Sequence, residues 1–488
     1  MLLKFTDKLT KLFKIKNITH FIKLIYLSDS EKYWLGRKGY SWEKLSQIGR
    51  DDRSSEKTYQ AQSGDPPESG AAAGSIPAFQ QTLIQTGCLF SPCPKCGKII
   101  SSNQSFCIFV NSHDQPIFYR FNCCEELYLV VVRSSPQTKL GVYFPDNKLF
   151  VSFEDYKTKP HREKYYGVET CEYYVSILLS YLKRSREKVS RYISWAGPKK
   201  IIGLSGFEGN HGHHIFDEIT ALQYLVDNHH LREKMSFMVG PKDYLDLANI
   251  FPEIEFSHFS KDYPDTSDLP YTLFEHLLIN NLLAVRPTLR GPLREKTAQR
   301  IIEVAKTKVS EEFLAIIHDS AKCFPLVWVT LRSHTRCWVS QIDGLVKIIR
   351  EIHADFPGCG VVFDGIKAEQ PTLEAILQGL PAGIKSFNGL HCNFYETLIW
   401  TNYITFFIAP LGNGTLFTSI TNKPGIVHTH ADWSSKEPYC INNRENGVLA
   451  IPVTGTPIYA KDKDIFSYDY ELDWKSVLHE ARTLINKM

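Results

Sequence analysis

From about residue 190 onward, short apolar runs alternate with amphipathic helical segments, and this alternation restricts the fold more than any other feature. It is typical of parallel α/β architecture, in which each strand is followed by a helix that crosses back over the sheet. Two successive sets of strands are predicted. The first set is 200–205, 235–240 and 254–259, and the second is 326–331, 360–364, 384–387, 404–409 and 425–428. The sequence therefore predicts two parallel sheets, one after the other.

The length of the chain indicates that it contains more than one domain. A chain of 488 residues exceeds what one hydrophobic core normally supports, so two or three domains are expected. We predict an α/β fold in which Rossmann-like halves at 190–310 and 311–488 follow a small β-rich, cysteine-containing domain at 77–165. Residues 50–76 have the Ser, Gly, Pro and Ala content of a flexible linker. Residues 1–49 form a basic amphipathic segment ahead of it.

Charge and hydropathy exclude some functional classes. The net charge of +3 is close to neutral for this length and argues against a nucleic-acid binder. No run of eighteen apolar residues occurs, and lysines interrupt every apolar stretch near the start, so neither a membrane span nor a signal peptide is predicted. Residues 1–27 offer one apolar face that either contacts a membrane surface or docks on the protein itself. We predict a cytoplasmic protein, with peripheral membrane association as an option.

Cysteines are concentrated between residues 88 and 124. Cys93-Pro-Lys-Cys96-Gly97 has the spacing of a zinc knuckle, in which two thiolates bind one ion. A second Cys-x-x-Cys is missing, and the adjacent pair Cys123-Cys124 is an awkward source of the other two ligands. A structural zinc site at Cys93 and Cys96 is one interpretation, and ordinary reduced thiols are the other.

The stretch from Gly203 to Glu218 places three histidines and three carboxylates among glycines. It is followed by apolar residues at helical spacing, so we predict a loop that enters a helix. One face of that helix is expected to pack into a core, and the other to present histidine and carboxylate to a cleft. The candidate catalytic residues are Glu218, Asp217, His214 and His211. A glycine-rich turn with surface histidines is the alternative.

Two polar segments follow strands of the second set. Arg332 and Arg336 come directly after the strand at 326–331, where paired guanidinium donors can bind phosphate oxygens. After the strand at 404–409, the chain turns through Gly412, Asn413 and Gly414 to Thr415, which lets the backbone approach an anionic group such as a diphosphate. Because open α/β sheets bind ligands at the carboxyl ends of their strands, both segments are candidate binding residues.

These motifs together resemble glycosyltransferases of the GT-B type. The similarity covers residues 195 to 455 and consists of an Asn-x-x-His-x-x-x-Asp-Glu helix start from Asn210, an arginine after the first strand of the second half, and an Ala-Pro-x-Gly-x-Gly turn before Lys-Pro-Gly-Ile-Val. It is most similar to the family of plant xylan arabinosyl- and xylosyltransferases and the EGF-domain O-linked N-acetylglucosaminyltransferase. In those relatives a Trp follows the early histidine and the late turn contains His-Gly-Ala, whereas this chain has neither.

The resemblance implies how donor and acceptor are handled. The second half would hold a nucleotide-sugar donor, with the 412–415 turn around the diphosphate, His428 on the donor side, and Arg332 or Arg336 neutralising the leaving group. No metal or other cofactor would be required for catalysis.

On the acceptor side, Asp217, Glu218 or one of the three nearby histidines would deprotonate a glycan or glycoconjugate hydroxyl, which gives inversion. Glu218 or Asp217 is preferred, with His214 as the orienting partner. Two other classes stay open. One is a metal-dependent hydrolase that uses His211, His213, His214 and Asp217 as ligands. The other is a non-catalytic carbohydrate- or protein-binding module.

Overall fold

A computed structural model describes residues 16–49, 75–110, 115–132, 138–157, 161–207, 209–259, 269–434, 444–460 and 467–488. These residues form two compact units. The first comprises the described residues up to Asp243 together with Phe251–Arg290, and the second comprises Tyr244–Ile250 with Gly291–Met488. The predicted linker lies outside the described residues except for its last two, and so does the amphipathic start as far as residue 15.

The described strands belong to four sheets. In chain order they are β1 (His20–Lys23), β2 (Leu89–Pro92), β3 (Ile99–Ser102), β4 (Ser105–Cys107), β5 (Ile117–Asn122), β6 (Glu126–Val132), β7 (Thr138–Phe144), β8 (Leu149–Ser152), β9 (Lys200–Ser205), β10 (Met235–Val239), β11 (Phe256–His258), β12 (Leu282–Val285), β13 (Leu326–Thr330), β14 (Gly360–Asp364), β15 (Lys385–Asn388), β16 (Phe406–Pro410), β17 (Gly425–His430), β18 (Ile451–Ile458) and β19 (Asp469–Glu471).

The described helices lie before, between and after these strands. They are Asp29–Arg37, Trp42–Gly49, Ala78–Thr86, His161–Tyr166, Val168–Arg184, Arg186–Ser194, His211–His213, Thr220–Asp227, His229–Arg232, Leu247–Ile250, Leu269–Ile279, Glu295–Lys306, Glu311–Ser320, Gln341–Asp355, Gln370–Gly379, Phe394–Tyr403, Leu416–Ile420, Ala431–Ser434 and Trp474–Ile485. A π-helical segment, His214–Ile219, joins the two helices on either side of it, and single 3₁₀ turns occur at Leu24–Tyr26, Lys367–Glu369 and Asn413–Thr415.

The N-terminal half of the first unit is a six-stranded sheet of order β1-β8-β7-β6-β5-β4, beside which β2 and β3 form a hairpin. All pairs in the sheet are antiparallel except β1 with β8. The Val168–Arg184 helix packs into the same core because its buried residues recur at i, i+3, i+4 and i+7. These residues are Cys171, Tyr174, Val175 and Leu178. The β-rich region therefore has a continuous core within the first unit.

The remainder of the first unit is a parallel sheet of order β11-β10-β9-β12. Its first strand in the chain, β9, lies between β10 and β12, so the strand order reverses beside it. In an open parallel sheet, a reversal of this kind opens a crevice at the carboxyl ends of the two strands that flank it. We call the carboxyl ends of β9 and β12, with the residues that follow them, the first-unit edge.

The second unit contains a seven-stranded sheet of order β15-β14-β13-β16-β17-β18-β19, in which only β19 is antiparallel. Its first six strands have the 3-2-1-4-5-6 order of a Rossmann fold, which reverses between β13 and β16. The Gln341–Asp355 helix packs on this sheet through Leu345, Ile348, Ile349 and Ile352, again at helical spacing. We call the carboxyl ends of β13 and β16, with the residues that follow them, the second-unit edge.

The α/β class with two successive parallel sheets is confirmed, and each predicted strand overlaps an observed one. Three strands of these two sheets were not predicted: β12 in the first unit, and β18 and the antiparallel β19 in the second. Residues 291–310, assigned to the first α/β half by the sequence prediction, lie in the second unit. None of the helices in the described ranges has both the length and the hydropathy needed to cross a membrane.

Candidate active-site residues at the two sheet edges

The second-unit edge brings together the arginines and the glycine turn predicted to bind an anion. Arg332 follows β13, and its Nη1 atom donates to the carbonyl oxygen of Leu411, directly after β16, over 3.4 Å. Its backbone is held by Gln341, whose Nε2 atom donates to the Arg332 carbonyl oxygen over 2.6 Å. Two segments about 80 residues apart in sequence therefore meet where the strand order reverses.

The charge of Arg332 is buried. The residue is only 8% exposed, and within the described part of the chain its guanidinium makes no ion pair with a carboxylate. Burial, followed by the like charge of Arg336, lowers the pKa of Arg332 to about 10. The side chain remains a cation at neutral pH. A buried cation is normally stabilised by a counter-charge.

Arg336 and Gly412 both have left-handed backbones, with φ of 54° and 115°. A Cβ atom on Gly412 would lie 3.2 Å from Nη1 of Arg336, so the missing side chain leaves room for that guanidinium. Thr415 closes the turn, since its backbone N–H and its hydroxyl both donate to the Gly412 carbonyl oxygen, over 3.0 and 2.9 Å. The turn is therefore rigidly shaped around the arginine. Gly414 lies inside the same 3₁₀ turn as Asn413 and Thr415.

His428, which was predicted to lie on the donor side, is buried at this edge of the sheet. It is buried in β17, and its Nδ1 atom hydrogen-bonds to the hydroxyl of Tyr470 over 2.7 Å. Burial, followed by the charge of Arg332, lowers the pKa of His428 to about 3. This histidine is therefore neutral at physiological pH and acts as a support of the edge.

Asp364 is a residue of this edge that the sequence analysis missed. It ends β14 and accepts a hydrogen bond from the hydroxyl of Thr330 over 3.0 Å. Burial raises its pKa to about 6, although Thr330, the Gly365 backbone and Arg332 each lower it. A polar residue at the end of an apolar strand was the available signal, because ligand-binding residues of parallel sheets occupy this position.

The first-unit edge begins with a capped helix. After β9 the chain turns at Gly206, whose φ of 69° favours glycine, and the Asn210 side chain accepts from the backbone N–H groups of Gly212 and His213 over 2.9 and 3.4 Å. The helix then becomes a π-helix over His214–Ile219. Such segments occur frequently at functional sites. The predicted loop-to-helix stretch is thus observed, with a local insertion in the helix.

Glu218 is enclosed by donors. Its Oε1 atom accepts from Nε and Nη2 of Arg286, over 2.8 and 2.6 Å. Its Oε2 atom accepts from the backbone N–H of Gly206 over 3.0 Å and lies 2.8 Å from Nδ1 of His214. Burial raises the pKa of Glu218, but the charges and hydrogen bonds of Arg286 and His214 lower it further, so the pKa lies below its usual range.

This enclosure differs from the prediction that one face of the helix presents histidine and carboxylate to a cleft. Glu218 is 1% exposed, and His214 and Ala221 are fully buried. The apolar face of the same helix is buried too, at Ile215 and Ile219. The prediction that Glu218 and His214 face a cleft is therefore wrong, whereas His211 is partly exposed. Arg286, directly after β12, was missed because β12 itself was not predicted.

Asp217 and His213 form a second pair that reaches solvent. Nδ1 of His213 lies 2.8 Å from Oδ2 of Asp217, and the two side chains are 36% and 3% exposed. The backbone carbonyl of Asp217 accepts from the N–H of Leu289, after β12, over 2.9 Å. His211 lies two residues before His213, and burial, followed by the charges of His214 and Lys242, lowers the pKa of His211.

Among the described residues, the histidines of the first-unit edge do not belong to a group of three or more close ligand atoms. His213 and His214 each pair with their own carboxylate. Within the described part of the chain, one group of His, Cys, Asp or Glu side chains has three or more ligand atoms close enough to bind a single ion. It consists of Cys93, Cys96, Cys123 and Cys124. The structure therefore brings Cys93 and Cys96 together with Cys123 and Cys124, the adjacent pair whose spacing had made it an awkward source of ligands.

Comparisons with known proteins give weak likenesses. No family model and no curated protein matches the chain. Among solved structures, a family 9 glycosyl transferase from Veillonella parvula has 10% identity over 59% of this chain and 98% of its own, with a TM-score of 0.37. The E. coli ADP-heptose LPS heptosyltransferase II has 12% identity over 59% of this chain and 99% of its own, with a TM-score of 0.36.

A putative UDP-N-acetylglucosamine 2-epimerase from Listeria monocytogenes is a third similar structure, with 12% identity over 57% of this chain and 72% of its own and a TM-score of 0.29. TM-scores of this size assign neither a family nor an activity. The resemblance to xylan glycosyltransferases therefore stays a prediction, and the strand order and side-chain geometry of the two edges are the stronger observations.

Proposed function

We propose that the protein is a glycosyltransferase that takes a sugar from a nucleotide-sugar donor, and that the second-unit edge binds the donor's diphosphate. The observation that carries this proposal is the buried guanidinium of Arg332 at the strand reversal between β13 and β16. Asp364 and Glu369 act on Arg332 electrostatically, but neither forms a direct ion pair with it, and burying a cation without such a partner costs several kcal/mol. A bound anion would offset this cost.

A diphosphate matches the charge and the donor groups of this edge. Arg332 and Arg336 are close enough for each to affect the other's surroundings, since the charge of Arg336 lowers the pKa of Arg332. Planar guanidinium groups bind phosphate oxygens through paired N–H donors. The bare backbone at Gly412 lets the Arg336 guanidinium lie close against the turn.

The same arginines would assist the reaction. As the acceptor oxygen attacks the anomeric carbon, the bond from that carbon to the diphosphate oxygen breaks, and its electron pair leaves with the nucleoside diphosphate. Preformed positive charge at the leaving group stabilises this transition state. With two guanidinium groups in that role, the step is proposed to need no metal ion.

His213 is the proposed general base, oriented by Asp217. Glu218 is unsuited to this role because both of its oxygens accept hydrogen bonds and its pKa is lowered. The partly exposed His213 can reach an acceptor hydroxyl, while the Asp217 carboxylate fixes the orientation of the ring. A single displacement of this kind inverts the anomeric configuration. The acceptor is proposed to be a glycan or glycoconjugate.

The donor site is tested by isothermal titration with ADP, GDP, UDP and CDP, each compared with its monophosphate. We expect one diphosphate to bind best and Arg332→Met to weaken it by about 10- to 100-fold, the value of charge-assisted hydrogen bonds. Arg350→Met is the matched control, because Arg350 is exposed on the Gln341–Asp355 helix of the same unit. Absence of binding by every diphosphate, or unchanged affinity in Arg332→Met, would refute the donor site.

The base is tested separately with the donor identified in that way. Release of nucleoside diphosphate from the sugar donor, followed by NMR, should fall about 100- to 10,000-fold in His213→Gln, with unchanged affinity for the nucleotide. The exposed His229 provides the control variant His229→Gln. If His213→Gln retains the wild-type rate, the base assignment fails while the donor site stands.

A further inference from the structure

Two turns of the first unit bring four cysteines together. Cys93 and Cys96 lie in the turn between β2 and β3, and Cys123 and Cys124 lie in the turn between β5 and β6. Their four Sγ atoms all lie within 4.8 Å of one another. The Sγ atoms of Cys96 and Cys123 are 3.6 Å apart.

These distances match sulfurs around one metal ion better than a disulfide. A disulfide joins its sulfurs at about 2.05 Å, much closer than the 3.6 Å between Cys96 and Cys123. Zinc binds thiolates at about 2.3 Å, which in a tetrahedron separates the sulfurs by about 3.8 Å. All four cysteines are free thiols in the structure. The cluster therefore has the ligand type and spacing of a tetrahedral zinc site.

The backbone of the first turn has the shape of a metal-binding knuckle. Gly97 has a φ of 80°, and its N–H donates to the carbonyl oxygen of Cys93 over 2.9 Å. The N–H of Cys93 in turn donates to the carbonyl oxygen of Lys98 over 2.8 Å. These two hydrogen bonds close the turn and hold Cys93 and Cys96 on it.

Two lysines lie beside the first turn. Lys44 donates to the carbonyl oxygen of Lys95 over 2.9 Å, and Lys95 forms an ion pair with Glu125 at 3.3 Å. Four thiolates around a divalent zinc ion leave a net charge of two minus, and Lys44 supplies a positive charge beside this turn. The Ser41 N–H also donates to the carbonyl oxygen of Pro94 over 2.9 Å, so the knuckle contacts the N-terminal helical segment.

We propose that Cys93, Cys96, Cys123 and Cys124 bind one zinc ion, and that this ion is structural. Four protein ligands leave no position for a substrate, which is the arrangement of structural rather than catalytic zinc. The ion would connect the β2–β3 turn to the β5–β6 turn. This site is independent of the proposed sugar transfer, because none of its ligands belongs to either sheet edge.

The metal content of the full chain tests this proposal. The protein is purified without a histidine tag, and zinc and iron are measured by mass spectrometry. We expect about one zinc per chain in the wild type and in Cys88→Ser, and less than about a fifth of that in Cys96→Ser and Cys123→Ser. Cys88 is a suitable control because it lies just before β2 and outside the cluster. Unchanged zinc in both cluster variants, or iron in place of zinc, would overturn the proposal.

A second measurement does not depend on the folding of the variants. Cobalt(II) exchanged into the wild-type protein should give the intense sulfur-to-metal absorption and the visible bands of tetrahedral thiolate coordination. Removing zinc with a chelator should lower the melting temperature of the protein, since a metal that binds only the folded state stabilises it. Zinc removal without any change in melting temperature would overturn the structural role.

Discussion

At the first-unit edge the carboxylate of Glu218 accepts hydrogen bonds from Arg286 and Gly206, whereas at the second-unit edge the guanidinium of Arg332 donates to a carbonyl oxygen and has no carboxylate partner among the described residues. Both edges lie at a reversal of strand order in a parallel sheet. The same topology thus holds a directly paired cluster of charges in one unit and a cation without a direct ion pair in the other.

This difference indicates different roles for charged residues in equivalent places. An ion pair whose partners satisfy each other stabilises a local geometry, and here Glu218 holds the start of the helix against β9 and the segment after β12. A buried charge without a partner instead favours a ligand of opposite sign. Burial and charge alone therefore do not identify a functional residue. The groups that pair with a buried charge indicate whether its role is structural or ligand-binding.

The largest expected effect follows from breaking the directly paired cluster. Arg286→Met leaves the Glu218 carboxylate buried without its cation and should cost about 3–5 kcal/mol of unfolding free energy, measured by urea denaturation. Arg332→Met is the matched control, because it removes another buried arginine that has no direct carboxylate partner, and it should leave the free energy of unfolding unchanged or raise it. Equal losses in the two variants would contradict the comparison.

A smaller effect is expected from pH at the second-unit edge. The folded-state pKa of His428 is lowered to about 3 from an ordinary value of 6.5, so its contribution to stability is present above pH 6.5 and is lost as the pH falls toward 3. Between pH 7.5 and pH 5 this loss should be about 2 kcal/mol. His428→Asn should reduce the loss, and His479→Asn, at an exposed position, should leave it unchanged. Parallel pH profiles for the wild type and His428→Asn would contradict the assignment.

The smallest expected effect concerns the glycine turn. Gly412→Ala introduces a side chain where φ is 115° and should cost about 1 kcal/mol, with weaker diphosphate binding because Arg336 is displaced. In Gly414→Ala the new Cβ would meet its nearest atom at 3.4 Å, an ordinary contact, so a loss below about 0.5 kcal/mol is expected. Thermal unfolding and nucleotide titration measure both, and a greater loss in Gly414→Ala would show that the turn is shaped differently.

The sequence predicted the sheets well because their strands are apolar runs bounded by polar turns. It missed β12 because four apolar residues that follow an apolar helix cannot be distinguished from it by periodicity. Because β12 was not predicted, Arg286 at its end was not identified either, and Arg286 is one of the groups that enclose Glu218. The meeting of Arg332 with Gly412 could be anticipated, since both follow parallel strands and such strands end at one edge of a sheet.

The individual roles of adjacent residues were beyond sequence reasoning. Asp217 and Glu218 are neighbours in the chain, and only the geometry of the helix shows that one pairs with a partly exposed histidine and the other with a buried one. Likewise, Cys123 and Cys124 lack the usual ligand spacing, and the pairing of β5 with β6 brings them to the knuckle. In both cases tertiary structure supplied what local spacing could not.

The π-helical segment His214–Ile219 has a consequence for how this edge tolerates insertions and deletions. Each residue of an α-helix advances the chain by about 100° around the axis. A π-helical turn contains more residues than an α-helical turn, so it accommodates an extra residue without rotating the helix on either side of it. Deleting Phe216 would therefore let the segment close into a regular α-helix while His213 and Thr220 keep about the same angle to each other. The pairing would change instead, because His213 and Asp217 would be three residues apart rather than four. A one-codon deletion at this site would therefore test the spacing of that pair, with every charged side chain of the edge still present.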